Sequence, residues 1–364
     1  MDALTTPSNW QRVRLGDICE IVKGQQINKI SLNNTDKYPV INGGIDFLGY
    51  TNKFNVSKNT IAISEGGTCG YVRFMTSDFW SGGHNYSLQK ISNKVNNLCL
   101  YHILKSYEKD IMKLGVGSGL KNIQLKALKD FEILLPPLNE QAAIANILSD
   151  VDRYLYSLDA LILKKESVKK ALSFELLSQR KRLKGFNQAW QKVRLGDICE
   201  ITTGSLDANE MVHYGKYRFY TCAKEYYFID KYAFDTEAIL ISGNGAYVGY
   251  VHYYKGKFNA YQRTYVLDNF SEHIIFVKYF LTIFLQSHIQ TNRNEGNTPY
   301  IVMATLKDFE ILLPPLNEQA AIANILSDVD SEIISLKNKK RQFENIKKAL
   351  NHDLMSAKIR VLKK

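Results

Sequence analysis

At 364 residues the chain has room for two or three domains, and 45% hydrophobic with 23% charged residues is the balance of ordinary soluble protein. The longest apolar stretch, Ile274 to Leu285, is short for a bilayer and is interrupted by Lys278, so a spanning helix is not expected. Five cysteines (Cys19, Cys69, Cys99, Cys199, Cys222) are an odd count and include no C-x-x-C pair, and an odd count without metal spacing points to reduced thiols in a cytosol. MDALTTPSNW has no basic-then-apolar signal pattern, so a cytoplasmic location is expected. Net charge is +11, distributed as +2 over 1–152, +6 over 153–185, −4 over 186–330 and +7 over 331–364. The excess lies in two segments, readable either as a polyanion footprint or as a solvated helix face.

In chain order, Trp10 opens WQRVRLGDICEI, with a turn-like Leu15-Gly16-Asp17 and a strand candidate from Ile18 to Val22. Short strand-like runs follow at Tyr38–Ile41, Thr60–Ser64 and Tyr71–Phe74, separated by loops of Gly, Asn and Ser, as in a mostly β domain. Leu100, Ile103, Leu104, Tyr107 and Ile111 share one helix face, and a glycine-rich loop covers 115–119. Leu128 to Asp152 then reads LKDFEILLPPLNEQAAIANILSDVD. Leu128–Leu135 is of strand length, and Pro136-Pro137 ends it. Asn139 stands where a helix N-cap would, with Glu140 in the first turn.

The chain then repeats itself. Trp190 opens WQKVRLGDICEI, and Leu306 to Asp330 matches Leu128 to Asp152 letter for letter. An identity of 25 residues within one chain is an internal repeat. The stretches between, 23–127 and 203–305, differ almost throughout, yet a strand candidate at Ile239–Ser242 and a helix marked by Val277, Phe280, Leu281 and Phe284 keep the order of events. Aligning Ser64 with Ser242 also brings Gly70-Tyr71-Val72 onto Gly249-Tyr250-Val251, which predicts one shared fold.

Apolar residues recur at steps of four and three along both shared helices. The seam runs through Ile144, Leu148, Val151, Leu155, Leu158, Ile162, Leu172 and Leu176, and through Ile322, Leu326, Val329, Ile333, Leu336, Phe343, Leu350 and Leu354. That spacing predicts a coiled coil of two helices of about 45 residues each, the obvious partner of each being the other, antiparallel. Two amphipathic helices, each packed on its own domain, is the alternative. The fold class is α+β, two similar mostly β domains joined by two long helices in an antiparallel coiled coil with a pseudo-twofold internal repeat.

No Walker loop, H-E-x-x-H, G-x-S-x-G or clustered His/Cys set is present, and the seven histidines are scattered, so nothing nominates an active site or a metal site. Recognition is the other option. Amides and guanidinium groups on loops make bidentate contacts to base edges, and glycines let backbone N–H groups approach phosphates. Candidates in the first block are Lys23, Gln25, Gln26, Asn28, Lys29, Asn42, His84, Asn85, Tyr86, Lys121 and Asn122. In the second block they are Ser205, Lys224, Asn244, Tyr247, Gln262, Arg263, Asn292, Arg293, Asn297 and Tyr300. Each could instead be a polar loop residue facing water. The tyrosine-rich run from Tyr214 to Tyr265 reads better as aromatic packing between strands than as a base-stacking surface.

With W-Q-x-V-R-L-G-D-I-C-E-I at 10–21 and 190–201, and L-K-D-F-E-I-L-L-P-P-L-N-E-Q-A-A-I-A-N-I-L at 128–148 and 306–326, the chain resembles the DNA specificity subunit of type I restriction-modification systems. The resemblance covers the whole chain in the order variable, shared, variable, shared. It implies a target-recognition domain at 1–137, a conserved helix at 138–185, a second target-recognition domain at 186–315 and a second helix at 316–364. Each domain would read half of a bipartite site in double-stranded DNA, with the coiled coil fixing the spacer. Two methyltransferase subunits would dock on the helices and bring S-adenosylmethionine. Motor/nuclease subunits would bring ATP and magnesium. The chain itself would hold no cofactor, catalyse nothing and touch no membrane. A subunit serving a methyltransferase alone, and a scaffold or decoy that binds methyltransferase subunits without reading DNA, are the competing readings.

Overall fold

The computed structural model describes residue 7, residues 9–292 and residues 299–361. They divide into two compact units, residues 1–159 with 338–364, and residues 160–337. Among the described residues no helix is long and apolar enough to cross a membrane.

In the first unit a four-stranded antiparallel sheet has the order Glu20–Lys23, Asn85–Gln89, Thr60–Ser64, Val72–Met75. A three-stranded sheet places Tyr38–Ile41 between Gly49–Thr51 and Trp80–Ser81, parallel to the latter. The second unit has the same wiring in one six-stranded sheet, ordered Glu200–Thr203, Thr264–Asp268, Phe234–Ser242, Val251–Ala260, Tyr217–Tyr220, Tyr227–Ile229. Its Val251–Ala260 strand is unbroken and pairs antiparallel on one side and parallel on the other. The corresponding stretch of the first unit, Val72–Ser81, is interrupted over 76–79, where bends and a bridge replace the ladder. Asp78 there accepts a hydrogen bond from Lys58 N at 2.8 Å, and one sheet becomes two.

The shared segments form the same frame twice. Gln11–Arg14 pairs antiparallel with Glu132–Leu135, and Gln191–Arg194 with Glu310–Leu313. Three sequence expectations are corrected. Leu128 lies not in a strand but in a short helix, Leu125–Lys129, whose Leu128 is fully buried; the strand starts only at Glu132. Leu15–Ile18 is a helical turn that buries both end residues, which delays the strand to Glu20. The helix through Leu100 is divided into Asn97–Ser106 and Glu108–Met112 at Tyr107, whose backbone leaves helical geometry.

Both long helices are continuous for 40 residues, Leu138–Leu177 and Leu316–Met355, somewhat shorter than expected. Each starts at its leucine. Asn139 therefore stands inside the first turn, accepting from Glu140 N at 3.0 Å instead of capping from outside. The helices pair antiparallel within each unit. In the first, Tyr154 packs on Phe343, with ring centroids 4.5 Å apart, and Asp152 meets Lys347 at 2.5 Å and Asp159 meets Lys340 at 2.6 Å. In the second, Lys165 meets Glu332 at 2.8 Å, Lys169 meets Asp330, and Lys337 meets Glu166 at 2.6 Å. Of the seam residues, Ile144, Leu148, Leu158, Ile162, Leu176, Ile322, Leu326, Ile333 and Leu354 are buried. Val151, Leu155, Leu172, Val329, Leu336, Phe343 and Leu350 are half-buried.

Each unit is closed by a buried carboxylate at the start of one helix and an arginine beyond the end of the other. Glu140 is 2% exposed and takes Arg360 Nε at 2.7 Å and Nη2 at 2.9 Å, with Trp10 Nε1 at 3.2 Å. Glu318 is fully buried and takes Arg182 Nε at 3.2 Å and Nη2 at 2.6 Å. A carboxylate removed from water is tolerable only when paired and fully hydrogen-bonded, and the two-pronged guanidinium supplies both needs. Arg182→Ala, which strands Glu318, should therefore lower stability by about 3 kcal/mol in urea denaturation, and Arg182→Met with Glu318→Leu should recover most of that loss.

His102, 3% exposed, stacks beside Tyr101 in the first unit. Burial first, then the charge of Lys347, drives its pKa from the ordinary 6.5 to about 4. Between those values the unfolded chain binds the proton and the folded chain does not. The first unit should keep full stability above pH 6.5 and lose up to about 3 kcal/mol as the pH falls to 4, a dependence that His102→Leu should flatten in pH-dependent unfolding.

Candidate nucleic-acid interface

The frame presents one cluster of polar loops from each variable block. In the first unit Lys23 stands opposite Tyr86 across one strand pair, and Ser64 opposite Asn85 across the next. The loops leaving these strands meet through glycines. A Cβ on Gly24 would lie 2.1 Å from the Gly82 carbonyl, so no other residue fits there, and one on Gly66 would lie 2.3 Å from Asn122 Oδ1 and would push that side chain aside.

Glu65, which the sequence reading did not single out, lies at the centre. It is 8% exposed, and its Oε1 accepts from Lys23 Nζ at 2.7 Å. The Tyr86 hydroxyl lies 3.2 Å from the same oxygen and 3.0 Å from the Ile123 carbonyl. Burial, and then the Glu65 charge, push the Tyr86 pKa up to about 12, so the hydroxyl keeps its proton. Glu65 Oε2 is 3.9 Å from His84 Nδ1.

Around this carboxylate the fold gathers several candidates. The His84 backbone N–H donates to Asn42 Oδ1 at 2.9 Å, while its ring is exposed. Gln26 packs against Gly83, and Asn122 against Gly66. Lys121 is exposed next to Asn122, and its charge partly offsets the upward push of burial on the Cys69 thiol. Gln25 is exposed, with its main chain holding Ser81 and Trp80. Asn28 and Lys29 lie apart on a separate turn, where the Asn28 side chain accepts from Ile30 N at 3.1 Å. Asn85 is 2% exposed, and its amide donates to Ser81 Oγ and the Tyr86 carbonyl, both at 3.0 Å, so it holds the turn and presents nothing outward.

The second unit assembles its cluster at the matching place. Gln262, Arg263 and Tyr300 line a cavity of about 410 Å³ with Gly243, Tyr265, Ile301 and Val302. Asn244 bridges to Tyr300, and the Ser205 loop joins through the Leu206 carbonyl, which accepts from Gln262 N at 2.9 Å. Lys224 and Tyr247 form a second, nearby pair, the ammonium 5.2 Å from the ring centroid. Asn292 ends the helix Ile274–Asn292, and Arg293 and Asn297 lie outside the described residues. Within the tyrosine-rich run, Tyr220 is buried with Phe258, Leu240 and Val266, and Tyr254 packs against that cluster. The Arg218 guanidinium lies 4.3 Å from the Tyr226 ring and 4.5 Å from the Tyr254 ring, so aromatic packing accounts for these residues.

Among the described residues no three His, Cys, Asp or Glu side chains are grouped to hold a metal ion. A signal for Glu65 was available in the alignment of Ser64 with Ser242, where Glu65 falls opposite Gly243.

The family model for the type I restriction modification DNA specificity domain matches the chain twice, over 7–165 and 187–345. A Mycoplasma pneumoniae protein described as a type I specificity subunit is 31% identical over 261 residues, spanning 69% of this chain and 70% of that one. The MjaVIII specificity subunit of Methanocaldococcus jannaschii is 25% identical over 413 aligned positions, 99% of this chain and 95% of its relative. The crystal structure of a type I S subunit from M. genitalium superposes with a TM-score of 0.70 at 24% identity, covering 95% of this chain and 96% of that one, a likeness of fold. With two specificity domains in tandem filling most of its length, the chain belongs to the type I restriction-modification DNA specificity family.

Proposed function

We propose that the chain reads DNA for a type I restriction-modification complex, each variable block contacting one half of a bipartite site. The observation that carries this reading is the pair of unlike polar clusters held at matching places on one duplicated frame. A frame of fixed geometry with interchangeable loops converts loop chemistry into half-site choice and helix length into spacing. We assign the recognition domains to 1–137 and 186–315 and the conserved docking segments to 138–185 and 316–364, led by the helices Leu138–Leu177 and Leu316–Met355. Lys23, Gln25, Gln26, Asn42, His84, Lys121 and Asn122 face DNA in the first half, and Ser205, Lys224, Asn244, Tyr247, Gln262, Arg263 and Tyr300 in the second. Asn28 and Lys29 reach the backbone on the flank. Asn85 and Tyr86 act as supports.

Two methyltransferase subunits dock on the repeated helix surfaces and supply adenine methylation, and motor/nuclease subunits complete the complex in the cytoplasm. The chain contributes positioning and no chemical step. Much of its lysine and arginine excess is committed to ion pairs between the helices, as for Lys165, Lys340 and Lys347, which favours a structural use of that charge. Loop cations and the partner subunits then supply the attraction to phosphate.

Replacing residues 23–127 by the matching block of another family member should change one half of the methylated motif and leave the other intact, as read by mapping modified adenines in cells carrying the whole system. An unchanged motif would instead indicate a scaffold. Inserting four residues near Ser157, about one helical turn, should lengthen the tolerated spacer with both half-sites unchanged in the same assay.

A further inference from the structure

The two clusters share a main-chain scaffold to within about a tenth of an ångström in its hydrogen bonds. Glu65 N donates to the His84 carbonyl at 2.9 Å, and Gly243 N to the Arg263 carbonyl at 2.8 Å. Ile123 N meets the Glu65 carbonyl and Ile301 N the Gly243 carbonyl, both at 2.9 Å. The Tyr86 and Tyr265 hydroxyls lie 3.0 Å from the Ile123 and Ile301 carbonyls. On this common base the side chains differ in sign. The first unit carries a carboxylate, Glu65. In the second a Cβ on Gly243 would fall 2.4 Å from the Arg263 carbonyl, so the place stays open, and Arg263, an exposed residue, lines the same cavity as Gly243.

Glu65 is incompletely satisfied. Lys23 and Tyr86 both serve Oε1, while Oε2, though buried, has no hydrogen-bond partner among the described residues. A buried carboxylate oxygen without a donor costs free energy. The exposed His84 ring stands 3.9 Å from it, adjoining Gly82 and Gly83, and is the group an incoming ligand would displace.

We propose that the two domains read bases of opposite hydrogen-bonding polarity at these matched clusters, Glu65 Oε2 accepting from the 4-amino group of a cytosine and Arg263, which stands where His84 does in the first unit, donating to O6 and N7 of a guanine. Cytosine suits the carboxylate better than adenine does. Both offer an exocyclic amino group in the major groove, but adenine sets the N7 acceptor beside it, which a carboxylate repels. Guanine offers two acceptors and matches the planar fork of arginine. This assignment rests on the DNA-reading function proposed above and adds the base class for each half.

The test uses the chain assembled with its modification subunits and duplexes carrying the mapped site. In one series each cytosine of the first half-site is replaced in turn by 2-pyrimidinone, which lacks the 4-amino group. One replacement should weaken binding by roughly 10- to 100-fold, and that penalty should vanish in Glu65→Leu, which has no acceptor. In the second half-site, 7-deazaguanine should give a penalty that Arg263→Leu removes. A loss under twofold at every cytosine, with the block exchange still altering the motif, would overturn the assignment and leave the reading function standing. An unaltered motif after block exchange would overturn both. Because the modified duplexes probe the unaltered protein, poor folding of Glu65→Leu leaves the first measurement decisive.

Discussion

A carboxylate buried at the mouth of each long helix governs how this chain folds. Glu140 and Glu318 sit in the identical stretch, and a carboxylate so buried calls for a cation supplied from elsewhere. Arg360 and Arg182 provide it, each from just beyond the end of the opposite helix. The pairing compels the helices to run antiparallel and fixes their register, because a shift by one turn would strand a charge. The 4-3 apolar seam makes the contact favourable, and the carboxylate makes it specific.

The two units also show how much variation the frame absorbs. One ten-residue strand in the second unit corresponds to two short strands in the first, so six strands in one sheet become four and three in two. The inner strands, nearest the frame, keep their order and register. Change accumulates outward, where strand edges meet loops and where fewer buried contacts penalise it.

Much of this was legible in the sequence because repetition and periodicity are read directly. The seam residues were visible as a spacing, and the shared fold as the match of Gly70-Tyr71-Val72 with Gly249-Tyr250-Val251, which occupy equivalent hydrogen-bonded positions after Ser64 and Ser242. The short helices at Leu15–Ile18 and Leu125–Lys129 were not legible, since each is one turn long and is imposed by burying Leu15 and Leu128 rather than by local preference. Among the polar candidates, residue type could not separate Asn85, consumed inside a turn, from Asn122 at the rim. Residue type does not single out Glu65 either, because an acidic side chain is repelled by phosphate and only its buried setting gives it another use.

The identical Gln141 and Gln319 grip the variable blocks through main-chain atoms. Gln141 Oε1 accepts from the Asn96 backbone N–H at 2.7 Å, and Gln319 Oε1 from that of His273 at 3.0 Å, although the side chains there differ. The accepting half of this socket engages a peptide N–H in both copies and is indifferent to the letter there, while the Gln319 amide also donates to the Glu272 carboxylate at 2.6 Å. A variable block can thus be exchanged while that backbone grip on its mount is kept.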